Sequence, residues 1–572
     1  MVKVRIYKTR MFITSEDPTA LAHIVGLIGS AGFDEKTSGL VTCRTSIPNL
    51  RRLKRIYPDA RLERDDHTRE TVKKLKAQED EWIISTERMR AAKAGREDPI
   101  DYEFKFTPYS HQRKGFYFMH AGGRSAIFGD CGIGKTAIAA AFIESLVEAG
   151  EKGPYLVVCP ISIIKQAWLK DIEKFTDLKA MSIYEPSSYK TKEKRIKRLN
   201  TEADVYIASF SLVRLMEKEL RKKKFKMIIV DESTKIKNGQ SQTFRSLRKI
   251  SWKAERRYIM SGTPAPNGPL DLWSQFYFAD EGMTLEPSMV DFRYEYFTKV
   301  EVNSTGVGFW VPKRGMANKI YSMISPRAVR FKASECLDLP PQTFAIRELQ
   351  MTAEQRRVYN EMAESLFVEL EGGETVTARI ALSKLMKLRE ITGGFVITDA
   401  GEPVEVGSSP KLKELDHLLE QIMASEEHKA IVWVQYRWEA RTIIARFKKK
   451  YGAAGLYGDL TQRVKDKNID RFLDDKKARL LVCHPQSAAH GLTLTVAAYS
   501  IYYSLSHNFE EYYQSSKRIH RPGQNHPTFY YFLVCANTID QSLLTCIQDK
   551  KNMQDILIDG KVDTRGLVGI RK

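Results

Sequence analysis

The run Gly129-Asp130-Cys131-Gly132-Ile133-Gly134-Lys135-Thr136 satisfies the spacing G-x-x-x-x-G-K-[ST] at every fixed position. Glycines at this spacing let the main chain approach an anion with no Cβ in the way, so several backbone N–H groups can converge on it. SAIF before the loop is strand-like, and TAIAAAFIESLVEAG after it is a good helix, so the loop caps the positive end of a helix. In that setting Lys135 is predicted to reach the β- and γ-phosphates of a nucleotide, and the Thr136 hydroxyl to hold Mg²⁺. A second acidic element completes such a site. The apolar run FKMIIV delivers Asp231 and Glu232 at its C-terminal end, where ligands sit in parallel sheets. Asp231 is predicted to hold the metal through its water shell, and Glu232 to orient and polarise the attacking water. A strand ending in two carboxylates is a weak signal alone. Roughly 95 residues beyond a phosphate loop, with strands between, it is a strong one.

The elements that must position these groups are visible as alternating patterns. RSAIF, PYLVVC, VYIAS, KMIIV and RRYIM are short apolar runs separated by helical stretches, the signature of a buried parallel sheet. HKAIVWV, AAGLYG, ARLLVCH, YSIYYS and TFYYFLV repeat the pattern further on. The predicted fold class is therefore α/β, two tandem parallel-sheet domains, with a small α+β domain in front. The boundaries read as an accessory α+β domain and charged linker over 1–100, an ATP-binding lobe over 101–280 and an irregular insertion or connector over 281–343. A second lobe follows over 344–540, then a C-terminal helix and tail over 541–572. VKVRIYKTRMFIT alternates at strand period, LAHIVGLIGSAGF reads as a short helix, and the charged stretch from Arg64 to Asp98 as a solvated helical connector.

Composition bounds the function. The 572 residues are long enough for three or four units of about 150 residues, and 42% hydrophobic content excludes a mostly disordered chain. Lys and Arg number 91 against 71 Asp and Glu, a net charge of +20 that points to a polyanionic partner. The seven cysteines are widely spaced with no CxxC pair, which supports neither a disulfide framework nor a zinc finger and suits a reducing, cytoplasmic compartment. No apolar run approaches the roughly 20 residues of a membrane span, so no membrane partner is expected. Cys483, His484, His490, His507 and His520 lack paired ligand spacing, and burial explains them better than metal. The aromatic strings YSIYYS and FEEYYQ likewise read as core packing before base stacking.

Taken together, about Thr107 to Lys551 resembles the helicase superfamily 2 ATPases, and within them the SNF2-type DNA translocases of a compact bacterial or viral kind. Pro108-Tyr109-Ser110-His111-Gln112 is similar to the adenine-reading segment, which implies that Gln112 contacts the base. Val158-Cys159-Pro160-Ile161-Ser162 with Trp168 resembles a motif that lies along one DNA strand in the family. Asp231-Glu232-Ser233-Thr234 occupies the DEAH-box place, with both carboxylates kept and the last two residues changed. Ser261-Gly262-Thr263-Pro264 and Asn267 resemble the motif that links hydrolysis to lobe movement. Ser409-Pro410-Lys411-Leu412 and Val432-Trp433-Val434-Gln435-Tyr436 look like entry segments of the second lobe. His490-Gly491-Leu492-Thr493-Leu494-Thr495 resembles the Gly-Leu-x-Leu-Thr motif, and Gln514 through Gln524 resembles Q-x-x-x-R-x-x-R with the H-R-x-G-Q ending of SNF2 proteins.

The resemblance implies two RecA-like lobes, ATP and Mg²⁺ as cofactors, and catalytic roles for Gln514, Arg518 and Arg521. Gly491 and the loop residues Gly129 to Thr136 are implied to bind nucleotide. Phosphoryl transfer spreads negative charge over the transferring group, and a guanidinium arriving from the second lobe would stabilise it. ATP would then lie in a cleft between lobes whose closure moves a strand stepwise. The expected activity is ATP-driven translocation on duplex DNA, contacted through phosphates and hence independent of sequence. The alternatives are a strand-separating helicase, an annealing or fork-remodelling motor, or a nucleic-acid-binding scaffold with a weak ATPase. Monomer is the default for this architecture, and the sequence names no protein partner.

Overall fold

The computed structural model describes residues 1–559 apart from 8–9, 29–30, 35–36, 38, 64, 98, 185–190, 302–307, 372–377 and 489–491. Two compact units, carried by Met1–Lys332 and Ala333–Lys551, each have their own core.

The first unit begins with a small sheet of strands β1 (Lys3–Tyr7), β2 (Arg10–Thr14), β3 (Gly32–Phe33), β4 (Leu40–Arg44) and β5 (Arg61–Leu62), in the order β3-β4-β2-β1-β5. The alternating run near the N-terminus is thus two antiparallel strands, β1 against β2. Every second residue points inward: Val4, Ile6, Met11, Ile13, Val41 and Cys43 form a core with Leu21, Ile24 and Leu53 from two short helices. The helices cover that face and leave the other open, as half-buried antiparallel sheets allow.

The larger sheet of this unit has strands β6 (Arg124–Gly129), β7 (Tyr155–Cys159), β8 (Ala180–Ser182), β9 (Val205–Ser209), β10 (Met227–Asp231) and β11 (Arg256–Ser261). A hairpin, β12 (Phe297–Glu301) with β13 (Gly308–Pro312), precedes its last strand, β14 (Ala328–Phe331). The order is β14-β6-β11-β10-β7-β9-β8, and every pairing is parallel. Both faces are dry. Phe128, Val158, Ala208, Val230 and Ile259 sit in one core cluster, and their neighbours Ile127, Val157, Ile207, Ile229 and Met260 are equally buried on the other side. Two-sided burial is why these strands read as continuous apolar runs.

The stretch 281–343 is more regular than its aromatic- and arginine-rich sequence suggests. It holds the hairpin, helices Met289–Tyr296 and Met316–Ile324, and β14, which extends the sheet beside β6. Four residues preceded by one arginine and interrupted by another give too short a pattern to distinguish a strand from a connector.

The second unit carries β15 (Gln342–Leu349), a short hairpin of β16 (Phe395–Ile397) with β17 (Pro403–Glu405), then β18 (Ala430–Trp433), β19 (Ala454–Leu456), β20 (Leu480–Cys483), β21 (Tyr499–Tyr502) and β22 (Thr528–Cys535). Its six-stranded sheet runs β15-β22-β21-β18-β20-β19, again all parallel. Ile431, Trp433, Leu481, Tyr502 and Phe532 pack on one face, and Val432, Leu480, Val482, Ile501 and Leu533 on the other. The α/β architecture with two tandem parallel sheets and a small α+β domain in front is the expected one. The described residues include no helix long and apolar enough to cross a membrane, and no group of three or more His, Cys, Asp or Glu poised to hold a metal.

The charged linker does form a helix, Asp66–Lys93, but it is more than a solvated connector. Its later half docks on the first unit through Ser85, Met89 and Ala92. Arg327, 2% exposed just before β14, stacks at 3.4 Å on the Trp82 ring. It also donates to Ser85 Oγ at 2.8 Å, to Thr86 Oγ1 at 2.7 Å and to the carbonyl of Trp82. Burial pulls its guanidinium down to about 10. The small N-terminal domain is held too, because Arg52 pairs with Glu286 at 2.6 Å and lies 3.5 Å from Asp291. Replacing Arg327 removes a planar fork that a lysine cannot imitate. Arg327→Ala is expected to cost about 3 kcal/mol, with Arg327→Lys recovering less than half. Urea denaturation measures the loss, and hydrogen exchange should rise over residues 82–93 with the large sheet still protected.

Candidate nucleotide and phosphate site

The loop after β6 takes the conformation that its glycines permit. Gly132 and Gly134 have φ of 89° and 84°, and the helix Lys135–Glu148 starts directly behind them. A Cβ on Gly134 would lie 2.2 Å from Gln112 Nε2. Ala139, Ala140 and Ala141 in that helix are 0% exposed, and such small side chains let it lie close to its neighbours. The result is a concave loop at the positive end of a helix, open to an anion with several charged oxygens.

Lys135 folds back on this loop, donating from Nζ to the Gly129 carbonyl at 2.6 Å and the Asp130 carbonyl at 3.2 Å. The Thr136 hydroxyl donates to Asp171 Oδ2. Asp171 was not singled out in the sequence, yet the spacing Trp168-x-x-Asp171 puts both residues on one helical face, which is the signal that could have found it. Burial raises the Asp171 carboxyl above the usual carboxylate range, against the pull of the Thr136 hydrogen bond.

Asp231 closes β10 and is 3% exposed. Its Oδ2 accepts from the Trp168 indole N–H at 3.0 Å and its Oδ1 from the Glu232 backbone N–H at 2.9 Å. Burial raises this carboxyl, while the Lys135 ammonium, the indole and that N–H pull it down. The positive charge of Lys135 and the negative charge of Asp231 thus face one loop. Glu232 has φ of 53°, a left-handed backbone that turns the chain sharply after the strand. Ser233 donates to Gln275 Oε1 at 2.6 Å, and Gln275 Nε2 donates to the carbonyls of Pro264 at 2.6 Å and Asp271 at 2.7 Å. Gln275, fully buried and absent from the sequence reading, therefore ties Asp231-Glu232-Ser233-Thr234 to Ser261-Gly262-Thr263-Pro264.

Two motif residues make internal contacts in this structure. Trp168 belongs to a segment expected along DNA, but its side chain is 0% exposed and braces Asp231. It lies on a π-helical turn, Ile164–Leu169. Gln112, assigned to the base, is 8% exposed, accepts from the Tyr109 N–H at 2.9 Å and donates to the Ile133 carbonyl at 3.3 Å. Its amide secures the back of the phosphate loop, with His111 Nε2 2.9 Å from the same carbonyl. Tyr109 is the exposed group beside it, 56% accessible and stacked on His111.

In the second unit, Arg518 and Arg521 converge on one stretch of main chain. Arg518 Nη1 donates to the Leu492 carbonyl at 3.2 Å, and Arg521 Nη1 to the same carbonyl and to Thr493 Oγ1, both at 3.0 Å. Arg521 Nε also donates to the Lys517 carbonyl at 3.0 Å. Gln514 donates to Glu510 Oε1 at 3.4 Å. Gln524 donates to the carbonyls of Thr495, Ala497 and Ile519 and so clamps the two motifs together. Gly491 and His490 lie outside the described residues. Lys411, 1% exposed, pairs with Asp540 at 2.7 Å, so this entry-segment lysine is a structural cation in the core.

A model of the SNF2-related domain matches residues 81–393, more than half of the chain, and a model of the helicase conserved C-terminal domain matches 410–523. The phage protein p41, from Acyrthosiphon pisum secondary endosymbiont phage 1, is 27% identical over 79% of this chain and 98% of its own length. YwqA of Bacillus subtilis, provisionally named an ATP-dependent helicase/translocase, is 24% identical over 83% of this chain, which spans 51% of YwqA. The Sulfolobus solfataricus SWI2/SNF2 ATPase core in complex with dsDNA covers 80% of this chain and 94% of its own, at 23% identity and a TM-score of 0.38.

The bond from Trp168 to Asp231 is separable from the bulk of the indole. Trp168→Phe is expected to destabilise the first unit by about 2 kcal/mol, the scale for a hydrogen bond to a charged group plus modest repacking. In a double-mutant cycle with Asp231→Asn, read by chemical denaturation, the two losses should fall short of additive by about 1 kcal/mol.

Proposed function

The chain belongs to the SNF2-related family and is an ATP-dependent enzyme, and on that premise we propose that it is a motor that hydrolyses ATP to travel along duplex DNA. One observation carries the reading. The chain that holds Lys135 and the buried Asp231 at a phosphate loop also gathers Arg518 and Arg521 on Leu492.

In this reading the loop N–H groups from Gly129 to Gly134 and the Lys135 ammonium bind the β- and γ-phosphates. Thr136 and Asp231 are the residues that would hold Mg²⁺, and the donor set fits, since hydroxyl and carboxylate oxygens suit a small hard cation. Asp171 accepts the Thr136 hydroxyl hydrogen and so leaves that oxygen a lone pair for a cation. Bound there, Mg²⁺ supplies charge neutralisation on the phosphate oxygens. Glu232 orients and polarises the attacking water. Arg521, helped by Arg518 and Gln514, is proposed to stabilise the charge on the transferring phosphoryl group when the two lobes share a nucleotide. The Gln275 bridge gives Ser233 a path to the Pro264 segment, so a change at the phosphates can reach the turn that follows the neighbouring strand β11. The net charge of +20 supports a phosphate-based grip on DNA, which salt should weaken steeply.

Steady-state phosphate release with no polymer, single-stranded DNA, duplex DNA and duplex RNA tests the substrate. Strong stimulation by duplex DNA is expected; preference for a single strand or RNA replaces the translocase with a strand-separating or annealing motor, and no release with any polymer ends the proposal. Lys135→Ala should lose nucleotide binding. Glu232→Gln should bind and not turn over. Arg521→Ala should bind near normally with kcat lower by roughly 10³-fold or more, and an unchanged kcat would remove the second lobe from the site.

A further inference from the structure

Residues 1–80 lie outside both matched family domains, and they carry a surface that the motor site does not use. The open face of the small sheet is built from the outward residues of its central strands, Lys3, Arg5 and Tyr7 on β1 and Arg10, Phe12 and Thr14 on β2. Register sets these groups in alternation, with Arg5 opposite Phe12, Tyr7 opposite Arg10 and Lys3 opposite Thr14. Arg61 on β5 stands beside Lys3. Tyr7 is 50% exposed and Phe12 half-buried. The Arg10 guanidinium reaches across to Thr42 Oγ1 at 3.0 Å. Acids lie beside Arg5 as well: Glu63, 3.7 Å away and well exposed, and Asp65, whose carboxyl Arg5 helps to lower.

Two aromatic rings stand on this face, each faced by an arginine across the strand pair: Tyr7 is half exposed with its ring 5.2 Å from that of His67, and Phe12 is half-buried. The opposite face supplies the domain's core, and neither ring belongs to it. Rings on an open sheet suit unpaired bases, which can stack on them, and the surrounding guanidinium groups suit the phosphates between. Duplex DNA has no free base faces to offer and would use only the cations. We propose that this sheet face is a second nucleic-acid site that holds an unpaired DNA strand, with Tyr7 and Phe12 stacking bases and Lys3, Arg5, Arg10 and Arg61 contacting phosphates. The site is independent of the ATPase centre. It would let the protein sense a single-stranded region next to the polymer its lobes grip.

The test uses the full chain and a fluorescein-labelled thymidine 30-mer, followed by anisotropy at low salt. Tyr7→Ala with Arg5→Ala should weaken binding at least about tenfold while leaving polymer-stimulated ATP turnover within about twofold of wild type. Lys135→Ala should bind the 30-mer as wild type does, which separates this site from the motor site. Because both side chains are exposed, circular dichroism should show the fold intact. Since the lobes also contact nucleic acid, a 30-mer carrying 5-bromodeoxyuridine provides a direct readout. Irradiation should crosslink the peptide containing Tyr7 or Phe12, and the crosslink should be competed by single strands far better than by duplex. Unchanged affinity in the double variant, crosslinks only to Ala333–Lys551, or equal competition by duplex would each overturn the proposal.

Discussion

A carboxylate buried at the end of a parallel strand organises the first unit. Asp231 loses its water at 3% exposure, and leaving it charged there requires donors from several directions. Two donors come from separate places in the sequence, the indole of Trp168 and the N–H of Glu232, and the Lys135 ammonium adds its positive charge. Each is anchored by its own element, so the β10 terminus, the turn after β7 and the loop after β6 are fixed relative to one another. The same arrangement leaves Lys135 satisfied by carbonyls of its own loop, ready to exchange them for more strongly charged oxygens.

What was legible in the sequence follows from this. The phosphate loop was readable because its conformation demands glycines at fixed places, with φ near +85° that other residues resist. The inner strands of both large sheets were readable because two-sided burial leaves them apolar, whereas the edge strands β8 and β15 are partly exposed and gave no such run. Asp171, Gln275 and Arg327 were not, because each acts through a partner far along the chain: 35 residues for Thr136, 42 for Ser233 and 242 for Ser85. β14 escaped because its place beside β6 is a long-range pairing with only four residues of pattern behind it. A motif match reports which residue stands at a position, and burial decides which way it faces, as the buried side chains of Trp168 and Lys411 show.

The small domain and the long helix show a different economy. Arg327 and Arg52 are nearly dry cations that join elements distant in sequence, one by stacking and hydrogen bonds to carbonyl and hydroxyl oxygens, the other by ion pairs. Breaking one partner of such a bond leaves a desolvated charge, so these joints resist partial loosening more than apolar contacts of the same area would. These contacts tie the small domain and the long helix to the rest of the first unit.

The two arginines of the second unit set a threshold. Arg518 donates to Leu492, and Arg521 to Leu492 and Thr493, neutral acceptors whose net contribution is about 1 kcal/mol each. A phosphate oxygen offers a charge-assisted, bidentate partner roughly twice as strong. The main-chain carbonyl of Leu492 and the Thr493 hydroxyl therefore help to order Arg518 and Arg521 with bonds weaker than a phosphate would form. Release of Arg521 also frees the Leu492 carbonyl and the Thr493 hydroxyl, next to the Leu494 N–H that bonds the Arg518 carbonyl at 3.0 Å. The Gln524 bonds to the Thr495 and Ala497 carbonyls tie the same loop to the arginine segment.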